Sequence, residues 1–299
     1  MNINRPRSMR VSRWLVLLAV FGWSVVCGVG LAEDVIITKN QQFRGKVKSA
    51  NKTGVTIEIA GQGVMTVARA SIVQMTIEPP PSVLRGVEAY KKGNFKEAQI
   101  SLAKVSAQYL GLDTPWAAEA LVYYGRCCLM AGDYTGAEKA FSAFIAAYEE
   151  DHPMKMDAEI GLAETEVGLQ NIDKALPKFQ ELAAQYDKQI KPSKEQLPYA
   201  AATFLGLGKC LETRGDAFGA LNAYLKVIAL YPTDSSMPEA LFRAASIYRS
   251  RNKPEQAGLL LKDLTTQYAK SAWAAKGATL QREIEPLVQG QENTPVKGP

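Results

Sequence analysis

The most constraining feature of this chain is a six-residue phrase that returns five times. It reads Gly93-Asn-Phe-Lys-Glu-Ala98, Gly132-Asp-Tyr-Thr-Gly-Ala137, Gln170-Asn-Ile-Asp-Lys-Ala175, Gly215-Asp-Ala-Phe-Gly-Ala220 and Asn252-Lys-Pro-Glu-Gln-Ala257. Its alanines step by 39, 38, 45 and 37 residues. A large apolar side chain follows each alanine by four positions: Leu102, Phe141, Phe179, Tyr224 and Leu261. A small residue, Gly86, Gly125, Ala163, Gly208 or Ala245, precedes each turn by seven. A period of this length is the mark of a chain built by stacking one supersecondary unit.

The unit is a pair of antiparallel helices. Small residues before the turn and at the alanine let the two helices approach closely. The large side chain one helical turn later fills the space between neighbouring pairs. Glycine, or a residue able to replace it, ends the first helix in the left-handed region, and the following Asp or Asn caps the second. Ala98, Ala137, Ala175, Ala220 and Ala257, with Gly86, Gly125, Gly208, Phe141, Phe179 and Tyr224, are therefore assigned to packing. The pattern resembles the tetratricopeptide repeat and covers Ser82 to about Ile284. The resemblance implies a mainly α fold, an α-solenoid of about five helical hairpins over residues 82–285. Pro232, in Leu230-Tyr231-Pro232, stands at the end of the fourth unit as the family pattern has it. The steps exceed the family's usual 34 residues, most of all through Asp187 to Pro198. The segment from Tyr231 to Ala245 is similar to repeats of two periplasmic families of Gram-negative bacteria, the Tol-Pal system coordinator and the outer-membrane β-barrel assembly lipoprotein.

Ahead of the repeats the periodicity changes to two. DVIIT, FRGKVKS, VTIEIA, VMTVA and IVQMTI are short β-branched runs divided by turn residues. They predict a small all-β module over residues 33–78, strongly bent and of SH3-like or Sm-like type. Pro79-Pro80-Pro81 reads as a stiff spacer over residues 79–81 that separates two independently folding bodies. Residues 286–299 read as a disordered tail.

The first 32 residues hold Arg5, Arg7, Arg10 and Arg13 but no acidic residue, and Trp14 to Ala32 is uncharged. That order is a signal peptide, or an N-terminal anchor that retains the chain in a membrane; Cys27 leaves a lipid-attached start open. Each version places the body outside the cytoplasm, in the periplasm or on the membrane-associated cell envelope. The whole chain has net charge +5, and most of that sits in the leader. A near-neutral body offers no electrostatic footprint for nucleic acid.

The chain has four cysteines, Cys127 and Cys128 adjacent, and one histidine, His152. Cysteines in this arrangement act as small buried apolar groups, and one histidine leaves little to build a metal or acid–base site. No GxSxG, HExxH or glycine-rich phosphate loop occurs. The expectation is a scaffold without catalysis or cofactor, binding other envelope proteins or peptides. The alternatives are a subunit of an outer-membrane assembly or Tol-Pal-type complex, and a membrane-tethered spacer without a specific ligand. Solenoids of helical hairpins bind along the surface lined by the first helices. Counting along those helices gives Val87, Tyr90, Val122, Arg126, Met130, Ile160, Glu164, Leu205, Lys209, Phe242 and Arg249. Arg126, Lys209 and Arg249 are expected to converge on a carboxylate of the bound peptide.

Overall fold

The computed structural model describes residues 33–189 and 192–292. The signal or anchor expectation falls on residues 1–32 and lies outside them. Among the described residues, five strands come first: β1 (Asp34–Thr38), β2 (Gln42–Ala50), β3 (Gly54–Ile59), β4 (Gly63–Ala68) and β5 (Ile72–Thr76). All their pairings are antiparallel, in the order β4-β3-β2-β1-β5. The first half of β2 pairs with β1 and its second half with β3. This division bends the sheet, and Gly45 sits where it changes over. A Cβ at Gly45 would run into the Glu58 carbonyl on β3. Among the residues of β2, only glycine permits that approach.

Eleven helices follow among the described residues. They are α1 (Pro81–Lys91), α2 (Phe95–Gln108), α3 (Pro115–Met130), α4 (Tyr134–Ala147), α5 (Lys155–Gly168), α6 (Ile172–Asp187), α7 (Leu197–Thr213), α8 (Ala217–Leu230), α9 (Met237–Ser250), α10 (Pro254–Gln267) and α11 (Ala272–Glu292). The first ten form five hairpins, and α11 covers the end of the fifth. Each of the five recurring turns has its first residue at positive φ: Gly93, Gly132, Gln170, Gly215 and Asn252. In the second and fourth turns, Asp133 and Asp216 accept a hydrogen bond from the amides of Gly136 and Gly219, each at 2.9 Å. A side chain at either glycine would collide with the capping carboxylate, which explains the glycine before the alanine in those two turns.

Gln170 carries this turn at φ 64° without glycine's freedom. A left-handed residue with a Cβ costs about 1–2 kcal/mol, part of which glycine loses again as chain entropy. Gln170→Gly is expected to stabilise the chain by about 0.5–1 kcal/mol, read as a higher denaturant midpoint. An unchanged or lower midpoint would refute that account.

The packing follows the repeat register. Ala98, Ala137, Ala175, Ala220 and Ala257 are fully buried, as are Leu102, Phe141, Phe179, Tyr224 and Leu261. Phe141 lies against Gly125 of its own hairpin and Gly161 of the next. Phe179 likewise meets Gly206 of the following hairpin, and Tyr224 meets Gly208.

Three sequence expectations need correction. Pro81 is the first residue of α1 and not part of a spacer; proline suits that position because its missing N–H has no helical partner there anyway. The β module is not held apart either. Ile36, Phe43, Val47 and Ile57 share one buried cluster with Val83, Leu102, Val105, Tyr109 and Leu112 of the first hairpins. Tyr109 Oη donates to the Val47 carbonyl at 3.3 Å, Trp116 Nε1 to that of Ile77 at 3.0 Å, and Gln108 to that of Lys48. The triple proline is short enough to fold the module back onto the helices. Lastly, residues 286–292 continue α11, with Pro286 inside the helix; residues 293–299 lie outside the described residues.

Candidate functional site

The odd-numbered helices form the inner layer. Helices α1, α3, α5 and α7 contact one another in succession, as do α9 and α11, whereas the even-numbered helices pack chiefly against odd-numbered ones. The side on which neighbours lie closer is the concave one. Along α3 the inner stripe is Trp116, Glu119, Tyr123, Arg126 and Met130, spaced three and four apart. On α9 it is Glu239, Phe242, Ser246 and Arg249, and on α11 Trp273, Lys276 and Glu283.

Val122, Ile160 and Leu205 are not on this surface; they are buried in the core. Val122 sits one position before Tyr123 of the stripe, and Ile160 and Leu205, though spaced like their charged neighbours on α5 and α7, are covered by the adjoining helices. Tyr90 is half-buried and stacks on Tyr123, ring centres 4.2 Å apart. Phe95 meets Tyr90 edge-on at 5.7 Å. Met130 is exposed. Phe242 packs against Trp273, ring centres 5.3 Å apart.

The three cations do not converge. Each is taken by carboxylates of the next inner helix. Arg126 pairs with Asp157 and Glu164 of α5. Lys209 pairs with Glu239 of α9 at 2.9 Å, and Arg249 with Glu283 of α11 at 3.0 Å. Lys91 reaches Glu119 at 3.4 Å. Arg243, unnoticed in the sequence, bridges Glu212 at 2.9 Å and Glu239 at 2.8 Å. The inner face is thus a ladder of ion pairs that fastens successive hairpins. The cross-helix pairs leave no short-range mark in the sequence, since each joins residues on different helices.

Burial opposes the charge of Arg126, but Glu164 and Asp157 more than offset it, and its pKa rises above the ordinary value. Burial likewise raises the phenols of Tyr90 and Tyr199, and that of Tyr123, with help from a bond to Glu119. All three remain neutral hydrogen-bonding rings on this surface. The Arg126 side chain is 17% exposed, Asp157 19% and Glu164 25%, so removing the cation leaves two shielded carboxylates together. Arg126→Ala is expected to cost about 2–4 kcal/mol, somewhat under the figure for breaking a fully buried pair. Adding Glu164→Gln should restore part of the loss. A single variant as stable as the parent would show that the ladder carries no stability.

Between α1 and α3 the face opens into a cavity of about 310 Å³, lined by Val83, Leu84, Val87 and Trp116 and by the charged Glu88, Lys91, Lys92 and Glu119. The β module helps set this wall, since the Trp116 indole donates to Ile77. Among the described residues, no group of three potential metal ligands occurs. Cys127, Cys128 and Cys210 are free and buried; burial pushes the Cys127 and Cys210 thiols up to about 11. They serve the core as small apolar groups.

Tetratricopeptide repeat models match residues 83–152, 160–235 and 239–271, more than half of the chain. The chain belongs to the tetratricopeptide repeat family. Among solved structures it is similar to TTC0263, a thermophilic tetratricopeptide repeat protein of Thermus thermophilus. That match has a TM-score of 0.50 at 18% identity over 66% of this chain and 96% of the other. It also resembles a tetratricopeptide repeat protein of Parabacteroides merdae, with a TM-score of 0.46 at 18% identity over 71% and 70%. A third is YrrB, described as having an unusual peptide-binding site, with a TM-score of 0.41 at 18% identity over 68% and 92%. These likenesses concern the fold. No curated protein sequence matches the chain. Members of this repeat family generally mediate protein–protein interaction, and the fold is typically a scaffold without catalysis.

Proposed function

We propose that this repeat protein is an exported scaffold that holds a peptide segment of another cell-envelope protein along the inner face of its odd-numbered helices. The observation that carries the reading is the pairing of the cavity at Leu84, Val87 and Trp116, rimmed by charged residues, with the stacked Tyr90 and Tyr123 beside it. A cavity of this size takes one large side chain, and half-buried tyrosines supply rigid contact area at little entropic cost. A plain spacer has no need of such a recess. The basic, then uncharged, first 32 residues support export.

The test is a photo-crosslinking amino acid placed in turn at Leu84, at Tyr123 and, as a control on the outer layer, at Ile100. The reading expects the same envelope protein to be captured from Leu84 and Tyr123 and not from Ile100. Capture from Ile100 alone, or from none, would overturn it. Intact mass of the native protein tests export: a chain beginning near Glu33 agrees with a cleaved leader, and one beginning at Met1 in the soluble cell fraction contradicts export.

A further inference from the structure

The inner face has two electrically different ends. Across α1, α3 and α5 its ladder holds Lys91 and Arg126 against Glu119, Asp157 and Glu164, an excess of one carboxylate. Across α7, α9 and α11 it holds Lys209, Arg243 and Arg249 against Glu212, Glu239 and Glu283, an even balance, and one further cation stands beside it. That cation is Lys276. Its ammonium lies 4.4 Å from the centre of the Trp273 ring, and among the described residues no carboxylate pairs with it. Arg243 lies over the same ring at 5.7 Å, and Phe242 flanks it at 5.3 Å. Arg249 is half exposed and holds Glu283 through a surface pair, the weak and exchangeable kind.

From this arrangement we infer that the α9–α11 end of the inner face, built on Trp273, Phe242, Lys276 and Arg249, takes an acidic segment of the bound peptide. Its Asp or Glu side chains pair with Lys276 and Arg249 while an apolar neighbour covers the Trp273–Phe242 platform. The inference rests on the groove reading above and adds both chemistry and direction. The acidic stretch lies toward the C-terminal hairpins, and the opposite end of the peptide lies toward the carboxylate-rich α1–α5 end. An ammonium held on an aromatic face keeps its other hydrogens free for a carboxylate.

The experiment selects a random twelve-residue peptide library on the full chain and, in parallel, on Lys276→Glu and Lys276→Gln. Lys276 is exposed, so both variants are expected to keep the parent melting temperature. The inference expects acidic peptides to be enriched on the parent and to disappear on Lys276→Glu. A selected peptide made synthetically should bind Lys276→Glu about tenfold more weakly and lose affinity steeply with salt. Enrichment of peptides without acidic bias, sensitive to Tyr123→Ala but not to Lys276→Glu, would overturn the inference and leave the groove reading standing. No enrichment on any chain would overturn both. Loss of binding on amidating the peptide's C-terminus would mean that a chain end, not side-chain carboxylates, is read here. A concentration-dependent dimer abolished by Lys276→Glu would make the occupant a second copy of this chain, against the inference.

Discussion

Replacing Phe141 by alanine is expected to cost about 3–5 kcal/mol, the range for removing a buried aromatic ring from a packed core. Phe141 is fully buried and occupies a slot with no slack. Its ring lies against Gly125 on one side and Gly161 on the other, both too close for any Cβ, and the Arg126 guanidinium lies 5.8 Å from its centre. One ring therefore joins the two helices of the second hairpin, the face of the third and the α3–α5 rung of the ion-pair ladder. Solenoid stability is close to a sum of hairpin and nearest-neighbour terms, so the variant should lose an interface as well as a contact. Urea unfolding followed by circular dichroism should show a lower midpoint and a broader transition, as the hairpins on either side uncouple. A change below about 1 kcal/mol would mean that helices α3 and α5 close over the vacated space, and the register argument would fail.

The second large effect concerns the β module. Tyr109 ends α2, is 8% exposed, packs edge-on against Trp116 at 5.2 Å and donates to the Val47 carbonyl. Tyr109→Ala is expected to cost about 3–5 kcal/mol, and the loss should appear in both bodies. Hydrogen exchange should rise in peptides from Gln42–Ala50 of β2 and from Pro81–Lys91 of α1, while α7–α10 keep their protection. Faster exchange confined to α2, with β2 unchanged, would show the module to be energetically separate from the helices. The structure gives the reason to expect coupling. Val83, Leu102, Val105 and Leu112 of the first hairpin and its exit join the β module's Ile36, Val47 and Ile57 in one cluster, and the contacts of Gln108, Tyr109 and Trp116 tie the module to the end of α2 and the start of α3.

The five hairpins were legible because their rule is local. A small residue, a left-handed turn, an alanine and a bulky side chain recur at fixed offsets, and each does its work within one or two helical turns of its neighbour. The five strands were legible for the same reason, as alternation and turn residues act over a few positions. Arg126, Lys209 and Arg249 lie on α3, α7 and α9. Their pairing with Asp157, Glu239 and Glu283 was not visible, since the partners lie 31, 30 and 34 positions further along the sequence and face them only through the stacking angle of successive hairpins. Val122, Ile160 and Leu205 were expected in the groove and lie in the core, because spacing along one helix does not say how much of a face the neighbouring hairpins cover.

The sequence by itself determined the repeat, its number, the turns and which residues pack between helices. These are set by backbone conformation, side-chain volume and spacing along one chain segment. Only the tertiary structure decided that the β module shares a core with the first hairpins, that Trp116 walls a cavity, and that Lys276 lies on Trp273 without a carboxylate among the described residues. Those facts depend on how surfaces far apart in sequence meet. Burial and charge pairing belong to that meeting, because a residue's energy is set by what surrounds it in space.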